Sequence, residues 1–392
     1  MENILGISKE NQKLLVKIRR ELHMNAETSQ NEVKTSKIIM KYLDEFGISY
    51  KSGVGGNGIV AEIIGGNPGK IVALRADMDA LEMREETNID FKSIDENVMH
   101  SCGHDSHMTF LLGAAKLLNE NKDKIRGKVK LVFQPAEELS PIGGAPKILE
   151  SGLLDDVDAI FGSHVWPDLP FGKIAVKEGA MMANSDHFTI KFIGASSHAA
   201  KPHEGVDAVI MGAQFVNAMQ TLISRNTDPM NSAVLTVGRF IAVTRYNVMA
   251  EEAIIDGTCR TFSKEDRMRI FRDMENLAKA IAQVNHGDCE YNYGFGYPAV
   301  INEKNSVKIV KESATELFGE DAILNIEKPA MTAEDFAFYL QKIKGAFYWV
   351  GIGSKMEKNY PLHSKNFYLN EEILYRGAAL MYEIAINFLS KN

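Results

Sequence analysis

The sequence predicts an α/β fold: a mainly parallel sheet flanked by helices, interrupted by an inserted α+β module. Three observations carry this. Before residue 184 and after 297, short and nearly all-apolar runs (Ile71–Leu74, Lys128–Phe133, Ala159–Val165, Phe347–Gly351) alternate with stretches of helical spacing. Strands read this way when helices cover both faces of a parallel sheet. From Asp186 to Phe192 polar and apolar residues alternate instead, as in a strand with one wet face. That strand opens a β-α-β-β-α-β order completed within about 110 residues, the span of one compact module. At 392 residues the chain also exceeds the ~250–300 at which single cores stop growing. The expected division is a split domain, 1–185 and 297–392, around an insert, 186–296.

In chain order, helical spacing is expected over 9–23 (Leu14, Leu15, Ile18, Leu22) and 32–46 (Ile38, Ile39, Tyr42, Leu43, Phe46), separated by polar residues 25–31. Gly53–Gly58 reads as a turn before strands at Ile59–Ile64 and Ile71–Leu74. A helix follows from Met108 to Leu118. A strand at Lys128–Phe133 then stops at Gln134-Pro135, and a short helix near Pro146–Glu150 leads to the strand Ala159–Val165. In the insert, a helix from Val206 to Ile223 precedes strands at Ala233–Phe240 and Ala253–Phe262. Ser263 with Asp266 resembles a capping box and opens a helix presenting Met268, Phe271, Met274, Leu277, Ala278 and Ile281; the last strand is Asp288–Phe295. The closing elements are a helix over 305–317, the strand Phe347–Gly351 and a helix over 371–389.

A formal charge of −8 argues against nucleic acid, which recruits basic faces. No apolar run approaches the ~20 residues that span a bilayer. Met1-Glu2-Asn3-Ile4 has neither the basic nor the apolar region of a signal peptide, and three scattered cysteines (Cys102, Cys259, Cys289) make no disulfide framework. A cytoplasmic location is expected.

The chemistry concentrates at strand ends. Met99–His107 places three histidines, a cysteine, an aspartate and two serines before a helix. Such a junction offers exposed side chains and backbone N–H groups that favour a thiolate. Cys102 and His104, two apart, can face one way and chelate; His100 and His107 read as structural. Asp77 and Asp79 follow a buried strand, at the edge where open α/β sheets place their sites. Glu137 and Glu138 leave another buried strand, and adjacent carboxylates in a cleft repel unless a cation neutralises one. One Glu then binds metal while the other handles protons. His164 ends a third strand, and His363 lies in a late loop. Cys, His, Glu, His and His form a set suited to Zn, Mn, Co or Ni rather than Mg or Ca. Five protein ligands exceed one tetrahedral ion, so two divalent metals fit better. His198, in the insert's Gly194–His203 loop, is a further candidate.

These fragments, in this order, resemble the aminoacylase and hippurate hydrolase type of metallo-amidohydrolase. The resemblance rests on Leu74–Leu81, Met99–His107, Gln134–Glu138, His164, Ser197–His203, Tyr246-Asn247-Val248, Gly257–Arg260, Ala333–Ala337 and Leu362-His363-Ser364. It implies a dinuclear site with Cys102 as the bridge and His104, Glu138, His164 and His363 completing the ligands. It also implies Glu137 as general base, His198 polarising the scissile carbonyl, and Asn247 and Arg260 on the substrate carboxylate. The insert then serves as lid and dimerisation domain of a homodimer or higher homo-oligomer. The implied reaction is hydrolysis of the amide of N-acyl amino acids; the alternative is a dipeptidase or carboxypeptidase on the same scaffold. Two departures, Glu82 where relatives carry Pro and Leu139–Gly144 where they run Gly-rich, bear on substrate choice.

Overall fold

Four of the expected apolar runs lie side by side at the centre of one sheet in the computed structural model, which describes residues 3–242, 244–354 and 358–391. The chain divides into two compact units, one of Met1–Met181, Val300–Pro329 and Asp335–Asn392, the other of Met182–Ala299 and Ala330–Glu334.

In the first unit the eight-stranded sheet runs Ser49–Val54, Gly58–Ile64, Arg126–Gln134, Asn67–Asp77, Ala159–Pro170, Gly345–Gly353, Ile174–Ala175, Ile323–Leu324. The four strands from Arg126–Gln134 to Gly345–Gly353 are mutually parallel, and the first two form an antiparallel hairpin on their edge. Ser49–Val54 escaped the sequence reading because its residues are mostly exposed and polar, with no apolar run to mark them. The parallel register brings the ends of Asn67–Asp77 and Arg126–Gln134 to one edge, Asp77 pairing with Gln134; His164, expected at a strand end, sits midway along Ala159–Pro170 because that strand continues past its apolar run. That edge is where an open α/β sheet presents side chains to a ligand.

The helix after the His-rich stretch is His104–Glu120, four residues longer at its start than its apolar run suggested, and only Lys116, Asn119 and Glu120 escape burial. It packs on the closing helix, Ile373–Lys391, through close approaches. A Cβ on Gly377 would lie 2.4 Å from the Phe110 ring, and one on Gly113 would lie 2.7 Å from the Ala378 methyl. The expected first helix is two, Ile4–Glu10 and Gln12–Met24, because Asn11 ends one and its side chain bonds back to the Ile7 carbonyl.

The second unit is a four-stranded antiparallel sheet in the order Ala233–Ile241, Glu252–Thr261, Asp186–Ile193, Asp288–Gly294. The expected helix over 206–223 is broken at Met219 into Ala208–Ala218 and Gln220–Ser224, with Asp207 capping the first. The helix Lys264–Val284 is capped as its sequence implies, Ser263 Oγ accepting the Asp266 N–H at 2.9 Å. Its buried line is Ile270, Met274, Ala278 and Ala282. Phe271 is half-buried against Tyr291, Tyr293 and Phe295, so the inward face is rotated from the one expected. Segment Ala330–Glu334 joins this unit through backbone bonds from the Ala183 N–H to the Ala330 and Thr332 carbonyls. Among the described residues no helix is long and apolar enough to cross a membrane.

The helix contact yields a prediction. Gly377→Ala forces a methyl into the buried Phe110 ring and should destabilise the protein by about 1–3 kcal/mol, the usual cost of overpacking. Urea unfolding with an unchanged m-value checks it.

Candidate metal centre

Cys102 and His104 flank Gly103, whose φ of +85° and 2.5 Å clearance between a Cβ and Val165 Cγ2 admit glycine alone. The turn sends both neighbours toward His164. The sequence suggested exposed side chains here, but His100 to Asp105 and on to His107 are all buried. They are buried because the helix is enclosed by the sheet and the closing helix.

Six side chains from four segments converge. Cys102 Sγ lies 3.2 Å from His164 Nε2, and His363 Nε2 lies 3.1 Å from Glu138 Oε1. One ligand atom from each of Cys102, His104 and His164 falls within 4.8 Å of the others; so do those of Cys102, Glu138 and His363, and of His104, Glu137 and Glu138. Backbone strain accompanies the convergence. Ala136, just before the Glu pair, has φ +58° and His363 has φ +61°, a conformation that costs a non-glycine residue about 1 kcal/mol or more.

The histidines are oriented by their other nitrogens. His104 Nδ1 donates to the Asp79 carbonyl at 2.9 Å, and His164 Nδ1 donates to the Val165 carbonyl at 2.6 Å. Each ring therefore turns Nε2 inward. His104 Nε2 is buried with no partner. Buried polar atoms are normally satisfied. A buried, unsatisfied imidazole nitrogen beside a thiol and a carboxylate fits a transition-metal ion, and the second trio around Glu138 and His363 gives room for two.

Asp77 and Asp79 orient rather than ligate by this geometry. Asp79 Oδ2 accepts the Glu138 N–H at 2.9 Å and the Ser29 hydroxyl at 2.6 Å. Asp77 accepts from His107 Nδ1 and Arg75 Nη1, both at 2.7 Å, and His107 Nε2 accepts the Val165 N–H at 2.9 Å. With both nitrogens engaged, His107 is structural. Ser29, Glu32, Arg75 and Asp335 were not singled out as site residues; nothing in their local spacing distinguishes them, and only the fold brings them here.

The remaining candidates belong to the second unit. His198 is exposed, and its Nδ1 accepts the Ala200 N–H at 3.0 Å, which leaves Nε2 as the protonated donor of the neutral ring. The Asn247 carbonyl accepts the Ala199 N–H at 3.0 Å, and Asn247 Oδ1 is buried without a partner. Arg260 is half-buried on Glu252–Thr261; burial lowers its pKa although Asp186 opposes this.

The electrostatics of the first unit invite a cation. Burial disfavours charge on His104, yet Asp77 and Asp79 outweigh it and push its pKa up to about 10. Burial, with Glu138, Glu137 and Asp77, holds the Cys102 thiol well above its ordinary range. The thiolate expected from the helix start thus needs a neighbouring positive charge instead. Behind the loop, Arg19 and His23 bind Asp105 at 3.0 and 2.8 Å, and His23 Nε2 sits 3.3 Å from Glu85. Burial would raise the Glu85 pKa, but His23 and Thr87 outweigh it and bring it to about 2. A depressed acid stabilises the fold above its unfolded pKa and loses that contribution as pH falls toward the folded one. Glu85→Gln should therefore melt below the wild type at pH 7, with the gap closing as pH drops from about 4.5 toward 2. Thermal melts across that range check it; a constant gap contradicts it.

Comparison with known proteins agrees with this geometry. The model of peptidase family M20/M25/M40 matches residues 73–387. The N-acyl-L-amino acid amidohydrolase of Geobacillus stearothermophilus is 42% identical over 284 residues, covering 72% of this chain and 76% of its own. The N-acetyl-L-cysteine deacetylase of Bacillus subtilis (strain 168) is 37% identical over 383 residues, 97% of this chain and 89% of its own. Among solved structures, the Bacillus subtilis YXEP protein, a dinuclear metal-binding peptidase of the M20 family, superposes with a TM-score of 0.86 at 35% identity, covering 98% of this chain and 100% of that one. A match this long, together with relatives this similar, places the chain in peptidase family M20/M25/M40.

Proposed function

We propose that this chain is a metal-dependent amidohydrolase that cleaves N-acyl amino acids into a carboxylic acid and a free amino acid. The observation that carries the reading is the convergence of buried Cys102, His104 and His164 with half-buried Glu138 and exposed His363 beside an unsatisfied imidazole nitrogen, with Glu137 next to it. Relatives named as an N-acyl amino acid amidohydrolase and an N-acetylcysteine deacetylase support the substrate class. Those five residues would hold two divalent ions, drawn from Zn, Mn, Co or Ni by the softness of the donors, with Cys102 shared. Bound there, the ions would lower the pKa of water and polarise the acyl oxygen.

The protein's own residues do the rest. Glu137 is buried, and its Oε1 receives the Asp335 N–H at 3.4 Å, while Glu138 is the member of the pair seen 3.1 Å from His363. It takes the proton of the attacking water and hands it to the leaving amine. His198 donates from Nε2 to the acyl oxygen as negative charge develops. Asn247 and Arg260 engage the substrate carboxylate, a charge suited to a half-buried guanidinium. The same reading makes residues 186–296 the lid and dimerisation module of a cytoplasmic homodimer. The exposed Val209, Ile210, Val234 and Phe240 on its first helix and edge strand support a partner there.

Two experiments test the reading. Glu137→Gln keeps the shape and loses the base, so turnover should fall roughly 10²–10⁴-fold, the usual share of general-base catalysis, while metal content by mass spectrometry stays that of the wild type. Metal-free enzyme assayed with Zn, Mn, Co and Ni on N-acetyl and N-aroyl amino acids, with dipeptides alongside, should regain activity and favour the acylated substrates. A preference for dipeptides moves the enzyme to the dipeptidase or carboxypeptidase reading, and activity without any metal refutes both.

A further inference from the structure

Glu32 is fully buried, yet its carboxylate caps nothing on its own helix. It occupies the N-cap position of Val33–Glu45 and makes no side-chain bond to that helix. Instead Oε1 accepts the Ala136 N–H at 2.8 Å and the Gln30 N–H at 2.9 Å, while Oε2 accepts from Asn57 Nδ2 at 3.1 Å. Both residues held by Oε1 are left-handed, Gln30 at φ +69° and Ala136 at φ +58°. A non-glycine residue keeps such a conformation only where its surroundings over-determine it. Ala136 directly precedes Glu137. On the other side, the Glu138 N–H is held by buried Asp79, which in turn takes the Ser29 hydroxyl. Two buried carboxylates thus grip the amides on either side of Glu137, and residues 27–32 brace both, since Glu27 also accepts the Ala80 N–H through its carbonyl at 2.8 Å.

We propose that Glu32 is a positioning residue for Glu137: its carboxylate holds the strained Ala136 amide and so fixes where the base stands. The inference rests on the role of Glu137 given above and extends it to a residue more than a hundred positions away. Glutamine at 32 keeps an oxygen for both amides; alanine or leucine does not.

The test is a double-mutant cycle at full metal loading, assayed with whichever N-acyl amino acid or dipeptide the wild type turns over fastest, so that a wrong substrate reading leaves it standing. Glu32→Ala, or the volume-filling Glu32→Leu if alanine folds poorly, should lower kcat by roughly 10²-fold, as misplacement of a catalytic group by about 1 Å does, with KM changed by less than about threefold. In a Glu137→Gln background the same substitution should cost little, because residues acting as one unit are non-additive. Glu32→Gln should recover most of the turnover. Hydrogen exchange in the metal-free protein gives a readout independent of activity: amides in 134–138 should exchange faster in Glu32→Ala than in Glu32→Gln. An equal loss in both backgrounds, or unchanged kcat and exchange in Glu32→Ala, overturns the proposal. A Glu137→Gln variant as active as the wild type shows instead that the base is misassigned.

Discussion

A buried imidazole nitrogen with nothing to bond is the constraint on which the rest depends. His104 Nε2 is buried without a partner beside a thiol, two carboxylates and a second imidazole, on a helix packed between the sheet and the closing helix. Left alone, such a group costs on the order of 1–3 kcal/mol, and the surrounding acids add a demand for positive charge. A cation answers both. The fold then reads as the device that holds this demand in place: Gly103 makes the turn, Asp79 sets the His104 ring, the Val165 carbonyl sets His164, and Arg75 with His107 neutralises Asp77.

Much of this was legible because strands and metal donors leave strong local marks. Apolar runs at Ile71–Leu74, Lys128–Phe133 and Ala159–Val165 mark buried parallel strands; Asp77 and the Glu pair sit at or just past the ends of the first two, while His164 lies within the third. Cys102 and His104 stood out because histidine and cysteine are rare in this chain. The supporting residues were not legible. Glu32 reads as an ordinary polar residue before a helix, and Ser29 as part of a loop; their roles come from contacts across 104 and 50 positions. The exposure of the His-rich loop was misread for a related reason, since a loop-to-helix junction is usually wet and only the tertiary packing of Phe110 and Gly113 on the closing helix buries it. The strand Ser49–Val54 carries no apolar pattern, so pairing with Gly58–Ile64 defines it rather than composition.

The two units divide the proposed chemistry between them. The proposed metal ligands and base all lie in the first, where buried Glu32 and Asp79 hold the amides on either side of Glu137, as a site needing sub-ångström placement requires. The proposed substrate contacts lie in the second, on an exposed loop and a half-buried strand residue. Glu82 and Leu139–Gly144, the departures from the family pattern, lie in the first unit close in sequence to Asp79 and the Glu pair, which makes them candidates for acyl-group preference.

The central claim is that these donors hold two metal ions with Cys102 between them. Crystals of enzyme reconstituted with Zn or Mn, measured at the metal's absorption edge, test it most directly. The account predicts two anomalous peaks, both in bonding contact with Cys102 Sγ, with His104, His164, Glu138 and His363 as the remaining protein ligands. A single peak that does not touch Cys102, or none among these residues, would contradict it.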